Sequence, residues 1–239
     1  MSFDPLGPYR NVIVFIGILL SGCASVPSDN NEPDPYEKLN RVTYRFNSTA
    51  DHYVLKPIAT AYATVVPNPI RTGFTNFLSN LNDIDVTLND LLQGKFQQGI
   101  EDSFRFVTNT LLGFGGVLDV ATSGGLPKHK EDFGQTLAVW GWKNSNYLML
   151  PFLGPSTIRD GIGELGDYPA TIYDHLNTTQ TNIWSLYSVD IINQRANLLG
   201  ASNVLEAAAL DPYTYLRSAY FQNRKNLIYD GHPPHQDDE

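Results

Sequence analysis

The chain of 239 residues holds one cysteine, Cys23, so disulfide frameworks, CxxC redox pairs and thiolate zinc sites are excluded. Charge is scarce: 17% of residues are charged, below the usual quarter, and the formal balance is −9. An acidic chain of this kind has no general affinity for nucleic acid or for bare anionic lipid surfaces. Enzyme signatures are missing as well. No GxSxG elbow, HExxH pair or P-loop occurs. The five histidines, at 52, 129, 175, 232 and 235, are scattered and read as surface or satisfied side chains. Neither a cofactor nor a metal is expected, and the chain does not read as an enzyme.

What is present begins with the surroundings of Cys23. Arg10 precedes an uninterrupted apolar stretch, Val12 to Leu20, matching the h-region of a secretory signal and too short to cross a bilayer. Leu20, Ser21, Gly22 and Cys23 then follow in the order of a bacterial lipobox. In that pattern the signal, residues 1–22, is removed and the cysteine is acylated. One acyl chain holds a protein only marginally, whereas a multiply acylated Cys23 anchors it stably. Residues 23–34, containing ASVPSDNNEPD, read as a flexible tether, and the tail 231–239 as disordered.

Between these lies a helical domain, residues 35–230. Asp34-Pro35, Asn68-Pro69 and Asp211-Pro212 each put an N-cap acceptor before a proline at the first helical position, and Glu37 completes a capping box with Asp34. Leu39, Val42, Phe46 and Tyr53 recur at helical spacing up to Pro57. A second helix is predicted from Pro69 through Leu81, a third capped by Asp83 and stopped by Gly94, and a fourth from Phe96 to Leu111. Trp184 to Leu199, Val204 to Leu210 and Tyr213 to Ile228 complete the set. Gln135–Val139 and Tyr147–Leu150 are two stretches able to pair as a hairpin. The fold class is therefore mostly α, with short amphipathic helices and little or no β.

One stretch differs from an ordinary core. Phe106 to Leu118 carries no charge and includes Gly113, Gly115 and Gly116, and Tyr147 to Asp160 has a similar apolar, proline- and glycine-broken character. Two readings stay open. Both segments are buried core hairpins, or both lie partly immersed in one leaflet of a membrane.

Several motifs in order then become informative: DPYEKLNRVTYRFN at 34, VLKPIATAYATVVPNPIR at 54, NDLLQGK at 89, RFVTNTLLGFGGVLDVA at 105, DFGQTLAVWGW at 132 and YLMLPFLGPSTIRDGIG at 147. This series resembles the MlaA/VacJ family of outer-membrane lipoproteins. The resemblance implies a single helical, ring-shaped domain embedded in the periplasmic leaflet of the outer membrane. It further implies an amphipathic channel that withdraws phospholipid from the outer leaflet, association with a trimeric porin, and hand-over to a soluble periplasmic lipid carrier. On that reading Asn89, Thr108, Asn109, Gln135 and Thr136 are uncharged groups able to line the path. Arg105 and Arg159 meet phosphate or pair with Asp102 and Asp160, Gly113, Gly115 and Gly116 thin or hinge the wall, and Phe46-Asn47 forms a gate. The alternatives are a porin-associated lipoprotein that moves no lipid, and an envelope lipid hydrolase.

Overall fold

The computed structural model describes residues 34–167, 180–202 and 210–234. The predicted signal, Cys23, most of the tether, residues 204–209 of a predicted helix and the end of the tail lie outside the described residues. The first helix, α1 (Glu37–Ala50), runs through a π-helical turn (Asp51–Leu55) directly into α2 (Lys56–Val65). Pro57 was expected to stop it. Proline lacks an N–H and crowds the preceding turn, and the wider π turn before Pro57 relieves that conflict without ending the rod. The break comes instead at Val66, which turns extended ahead of Pro67.

Next comes α3 (Asn68–Gln93), one helix where two were predicted. Asp83 caps nothing. It sits mid-helix, 1% exposed, and its carboxylate pairs with Lys128. The real stop is Gly94 at φ +80°, where Lys95 N–H bonds Asp90 O (2.9 Å) and Gly94 N–H bonds Leu91 O (3.1 Å) in a Schellman closure. The chain returns along α3 as α4 (Phe96–Leu112). Gly99 permits the close crossing: a Cβ there would lie 3.2 Å from Asp90 Cβ.

After a glycine turn and the short α5 (Val120–Ser123), residues 133–139 form α6 (Phe133–Val139), which the sequence reading took as part of a strand pair. The Asp132 carboxylate accepts the N–H of Gln135 and caps this helix. The hairpin is local instead: β1 (Tyr147–Leu150) pairs antiparallel with β2 (Gly154–Thr157), Leu150 opposite Gly154. Phe152 at φ +64° and Gly154 at φ +90° close it. Then follow α7 (Ile158–Asp167), α8 (Gln180–Asn197) and α9 (Pro212–Ile228), the last capped by Asp211 as predicted. No described helix is long and apolar enough to cross a membrane.

The expected capping box at Asp34 is also replaced. Asp34 is buried and accepts from Asn40 Nδ2 (2.8 Å), Arg217 (3.2 Å) and the Tyr213 hydroxyl, while α1 has no side-chain cap. The start of the described chain is thereby fixed to α9, beside an aromatic cluster of Tyr147, Met149 and Tyr213 flanked by Tyr44, Leu216, Tyr220 and Phe221.

Candidate lipid-contacting exterior and polar interior

The distribution of side chains is inverted relative to a water-soluble globule. Among the described residues, 10 hydrophobic residues are buried against 20 polar or charged ones, and 34 large hydrophobics are exposed. Helix α4 shows the pattern most clearly. Phe96, Ile100, Phe104, Val107 and Leu111 recur at helical spacing and all face outward, while Gly99, Asp102, Arg105 and Asn109 line the buried side. On α1, Leu39, Val42 and Phe46 are likewise exposed. The glycine-rich turn adds Phe114, 81% exposed, and the hairpin tip adds Phe152, 77% exposed. The first apolar segment therefore turns its large side chains outward, with Val107, Leu111, Leu112 and Phe114 exposed, whereas the second is divided: Tyr147 and Met149 are buried and Phe152 and Leu153 are exposed. An apolar surface of this extent marks contact with a membrane or a partner.

Inside, many of the polar groups are joined in hydrogen-bonded and ion-paired sets. Arg105 is 2% exposed and donates to Thr122 Oγ1 (2.9 Å), the Leu126 carbonyl and the Asp119 carboxylate (3.3 Å), with Asp83 (3.8 Å) and Asp102 (3.9 Å) also near. Asn109 joins the same turn: its Nδ2 donates to Asp119 (3.1 Å) and its Oδ1 accepts Ala121 N–H (2.9 Å). Arg159 pairs with Asp160 (2.8 Å) and donates to the carbonyls of Trp142 and Lys143. Asp160 also binds Arg224 (2.9 Å) and the Tyr220 hydroxyl (2.5 Å). Burial alone would raise the Asp160 pKa, but Arg224, Tyr220 and Arg159 together hold it below the ordinary carboxylate value. Asp85 has no such partner, and burial beside Asp167 pushes it up to about 6.

The residues predicted to line a path divide into two groups. Asn89, Gln135 and Thr136 are buried in a bonded set: Thr136 Oγ1 donates to Asn89 Oδ1 (2.7 Å), Asn89 Nδ2 to Asp167 (2.8 Å), and Gln135 Nε2 to the Lys130 carbonyl (2.8 Å). With Arg105, Asn109 and Arg159 they hold helices together and present no open face. Thr108 is half-buried. The second group surrounds the two exposed turns. Asn47 grips the hairpin tip, donating from Nδ2 to Leu150 O (2.8 Å) and accepting Phe152 N–H at Oδ1 (2.9 Å), while the Phe46 and Phe152 rings meet edge to face at 5.0 Å. Gly113, Gly115 and Gly116 shape the other turn.

Gly116 combines a left-handed backbone with a close neighbour, while a Cβ on Gly113 would lie 2.2 Å from the Leu118 carbonyl oxygen. At Gly116 φ is +93°, and a Cβ would lie 2.6 Å from Asn80. Gly116→Ala is expected to destabilise the protein by about 1–3 kcal/mol, checked by chemical denaturation. Gly115→Ala has the backbone penalty alone, since nothing lies within 4 Å of its Cβ position.

Sequence reasoning missed Asp34, Asn40, Lys128, Tyr220, Arg217 and Arg224 as interior anchors. It also counted the GxGxxG spacing as absent, which is wrong, since Gly161 to Gly166 has it. That spacing opens no phosphate loop. It lies within α7, where a Cβ on Gly163 would meet the Gly134 backbone at 2.4 Å and one on Gly166 the Phe133 ring at 2.3 Å. The glycines allow α7 and α6 to touch. Among the described residues no group of His, Cys, Asp or Glu could hold a metal ion.

Fold and side-chain distribution define a helical protein with an apolar exterior and an ion-paired interior, the class whose surface is covered by a membrane or a partner. The MlaA lipoprotein family profile matches residues 32–227, and the chain belongs to this family. A relative from Escherichia coli (strain K12), the intermembrane phospholipid transport system lipoprotein MlaA, is 37% identical over 220 residues, covering 89% of this chain and 85% of its own. The Haemophilus influenzae protein of the same name is 31% identical over 222 residues, 90% of this chain and 88% of its own. A solved structure described as the structural basis for maintenance of bacterial outer membrane lipid asymmetry matches with TM-score 0.72 and 35% identity, covering 82% of this chain and 100% of the other.

Proposed function

We propose that this chain is an outer-membrane lipoprotein that withdraws misplaced phospholipid from the outer leaflet and passes it to a soluble periplasmic carrier for return transport. The observation that carries this reading is the inversion itself: outward Phe104, Val107, Leu111 and Phe114 over an interior of Arg105, Asn109 and Asp119. An exterior of this kind is stable when hydrocarbon replaces water around it, which supports a body resting in one leaflet. Acyl groups on Cys23 hold it there. Residues 1–22 are the removed signal, 23–34 the tether, 35–230 the ring-shaped transporting body and 231–239 the tail. The names and descriptions of the relatives support phospholipid as cargo, and the family resemblance supports a trimeric porin as neighbour.

A phospholipid head needs a polar route past hydrocarbon, because an unpaired charge buried there costs many kcal/mol. Asn47 is the latch of that route. Its two hydrogen bonds hold the tip of the β1–β2 hairpin against α1, and their loss at about 1 kcal/mol each shifts a closed–open balance by roughly tenfold or more. Asn47→Ala is therefore expected to change surface-exposed phospholipid several-fold at normal protein abundance, measured by enzymatic modification of lipids on intact cells. Unchanged surface lipid removes Asn47 from the path. For the function as a whole, deletion of the protein is expected to raise surface phospholipid. Protein extracted in mild detergent should carry phospholipid without turnover to lysolipid, whereas turnover would indicate a hydrolase and absence of lipid a scaffold.

A further inference from the structure

The seam between α3 and α4 contains a carboxyl group without a cation. Asp90, one turn before Gly94, is 0% exposed, and neither of its oxygens has a hydrogen-bond partner among the described amides, hydroxyls and cations. Facing it from α4 is Asp102, also 0% exposed. Its Oδ2 meets His129 Nδ1 at 2.8 Å, while its Oδ1 lacks a hydrogen-bond partner and lies 3.9 Å from Arg105 Nε.

Every cation nearby serves another acid first. From the 126–131 loop, Lys128 is bonded to Asp83 of α3. At the α3–α4 turn, Lys95 is shared by Glu131 (3.0 Å) and Asp230 (2.5 Å). On α4, Arg105 is nearest to Asp119 (3.3 Å). Both oxygens of Asp90 and Oδ1 of Asp102 lack a donor on helices brought together at Gly99, and one proton between the two carboxyls would serve both.

We propose that α3 and α4 are clasped by a proton held between Asp90 and Asp102, so that the outward face of α4 tightens onto the body in acid and loosens in alkali. Desolvation and the neighbouring Asp102 support this, pushing Asp90 up to about 8. The sign follows from linkage. The folded state holds the proton more tightly than the unfolded chain does, so this contribution is complete below about pH 4. It declines by up to roughly tenfold in the folding constant per pH unit, and is gone above about pH 8.

The test uses the full lipoprotein in lipid nanodiscs with carbon-13-labelled aspartate carboxyls. One carboxyl resonance is expected to titrate between about pH 7 and 9 and to vanish in Asp90→Asn. The wild-type thermal midpoint should fall between pH 5.5 and 8.5, while that of Asp90→Asn should fall measurably less. Amide exchange in α4, corrected for its intrinsic pH dependence, should quicken over the same range in the wild type. His129→Gln should keep the alkaline step. If no wild-type carboxyl titrates above pH 6, or if Asp90→Asn loses thermal stability with pH as the wild type does, the clasp does not exist. The wild-type titration decides the matter even if the variant fails to fold.

Discussion

Arg105→Ala is expected to cost about 3–5 kcal/mol of folding stability, because it leaves buried Asp102 with His129 as its one close partner and frees the Asp119 turn. Domains of this size have about 5–15 kcal/mol in total. The loss should therefore appear as a low steady-state level of protein and an early midpoint in denaturant. A residue that met the phosphate of passing lipid would behave otherwise: its alanine variant would accumulate normally and transport poorly. Normal abundance and normal unfolding for Arg105→Ala would contradict the structural role argued here. The distinction matters because an arginine is the group one would first assign to a phosphate. Here the guanidinium is enclosed by Asp119, Thr122 and the Leu126 carbonyl.

The opposite behaviour is expected of the outward face of α4. Phe104 and Leu111 are 60% and 74% exposed, so replacing both with aspartate removes few internal contacts and should leave the folded body intact. Against a bilayer the change is severe. An aspartate at the centre of an apolar segment costs about 2.5–3.5 kcal/mol, so two should reduce partitioning into vesicles by at least about a hundredfold. Flotation of the mature chain carrying Cys23→Ser isolates this term from the acyl anchor. Equal flotation of parent and variant would mean that α4 faces something other than lipid.

Helix ends set by local chemistry were legible. Asp211-Pro212 and Gly94 act where their residue types predict, since capping needs only the neighbouring backbone. Interior aspartates were not. Asp83 has the same local signature as an N-cap, and only the arrival of Lys128, 45 residues away, turns it into a buried ion pair. Pro57 misled for a related reason: its cost is absorbed by a π turn that no residue type announces. The strand pairing failed because Gln135 belongs to a helix capped by Asp132, and the tip at Phe152 allows β1 to pair locally.

The candidate site was legible by character more than by contact. The apolar, glycine-broken stretches stand out in sequence because composition alone reveals them, whereas the Phe46-Asn47 junction came from the family resemblance. For Arg159 the expected partner, Asp160, is its neighbour in the chain and was found. For Arg105 the partner in shortest contact is Asp119, brought round by the glycine turn, and periodicity on α4 pointed only to Asp102.

The outward-facing aromatics have a consequence for how the chain reaches its destination. A body that wears Phe104, Phe114 and Phe152 on its skin is at ease in oil and adhesive in water. On the outer-membrane placement proposed above, the chain would cross an aqueous compartment between synthesis and arrival, where those rings would glue copies together unless an escort sheathed them.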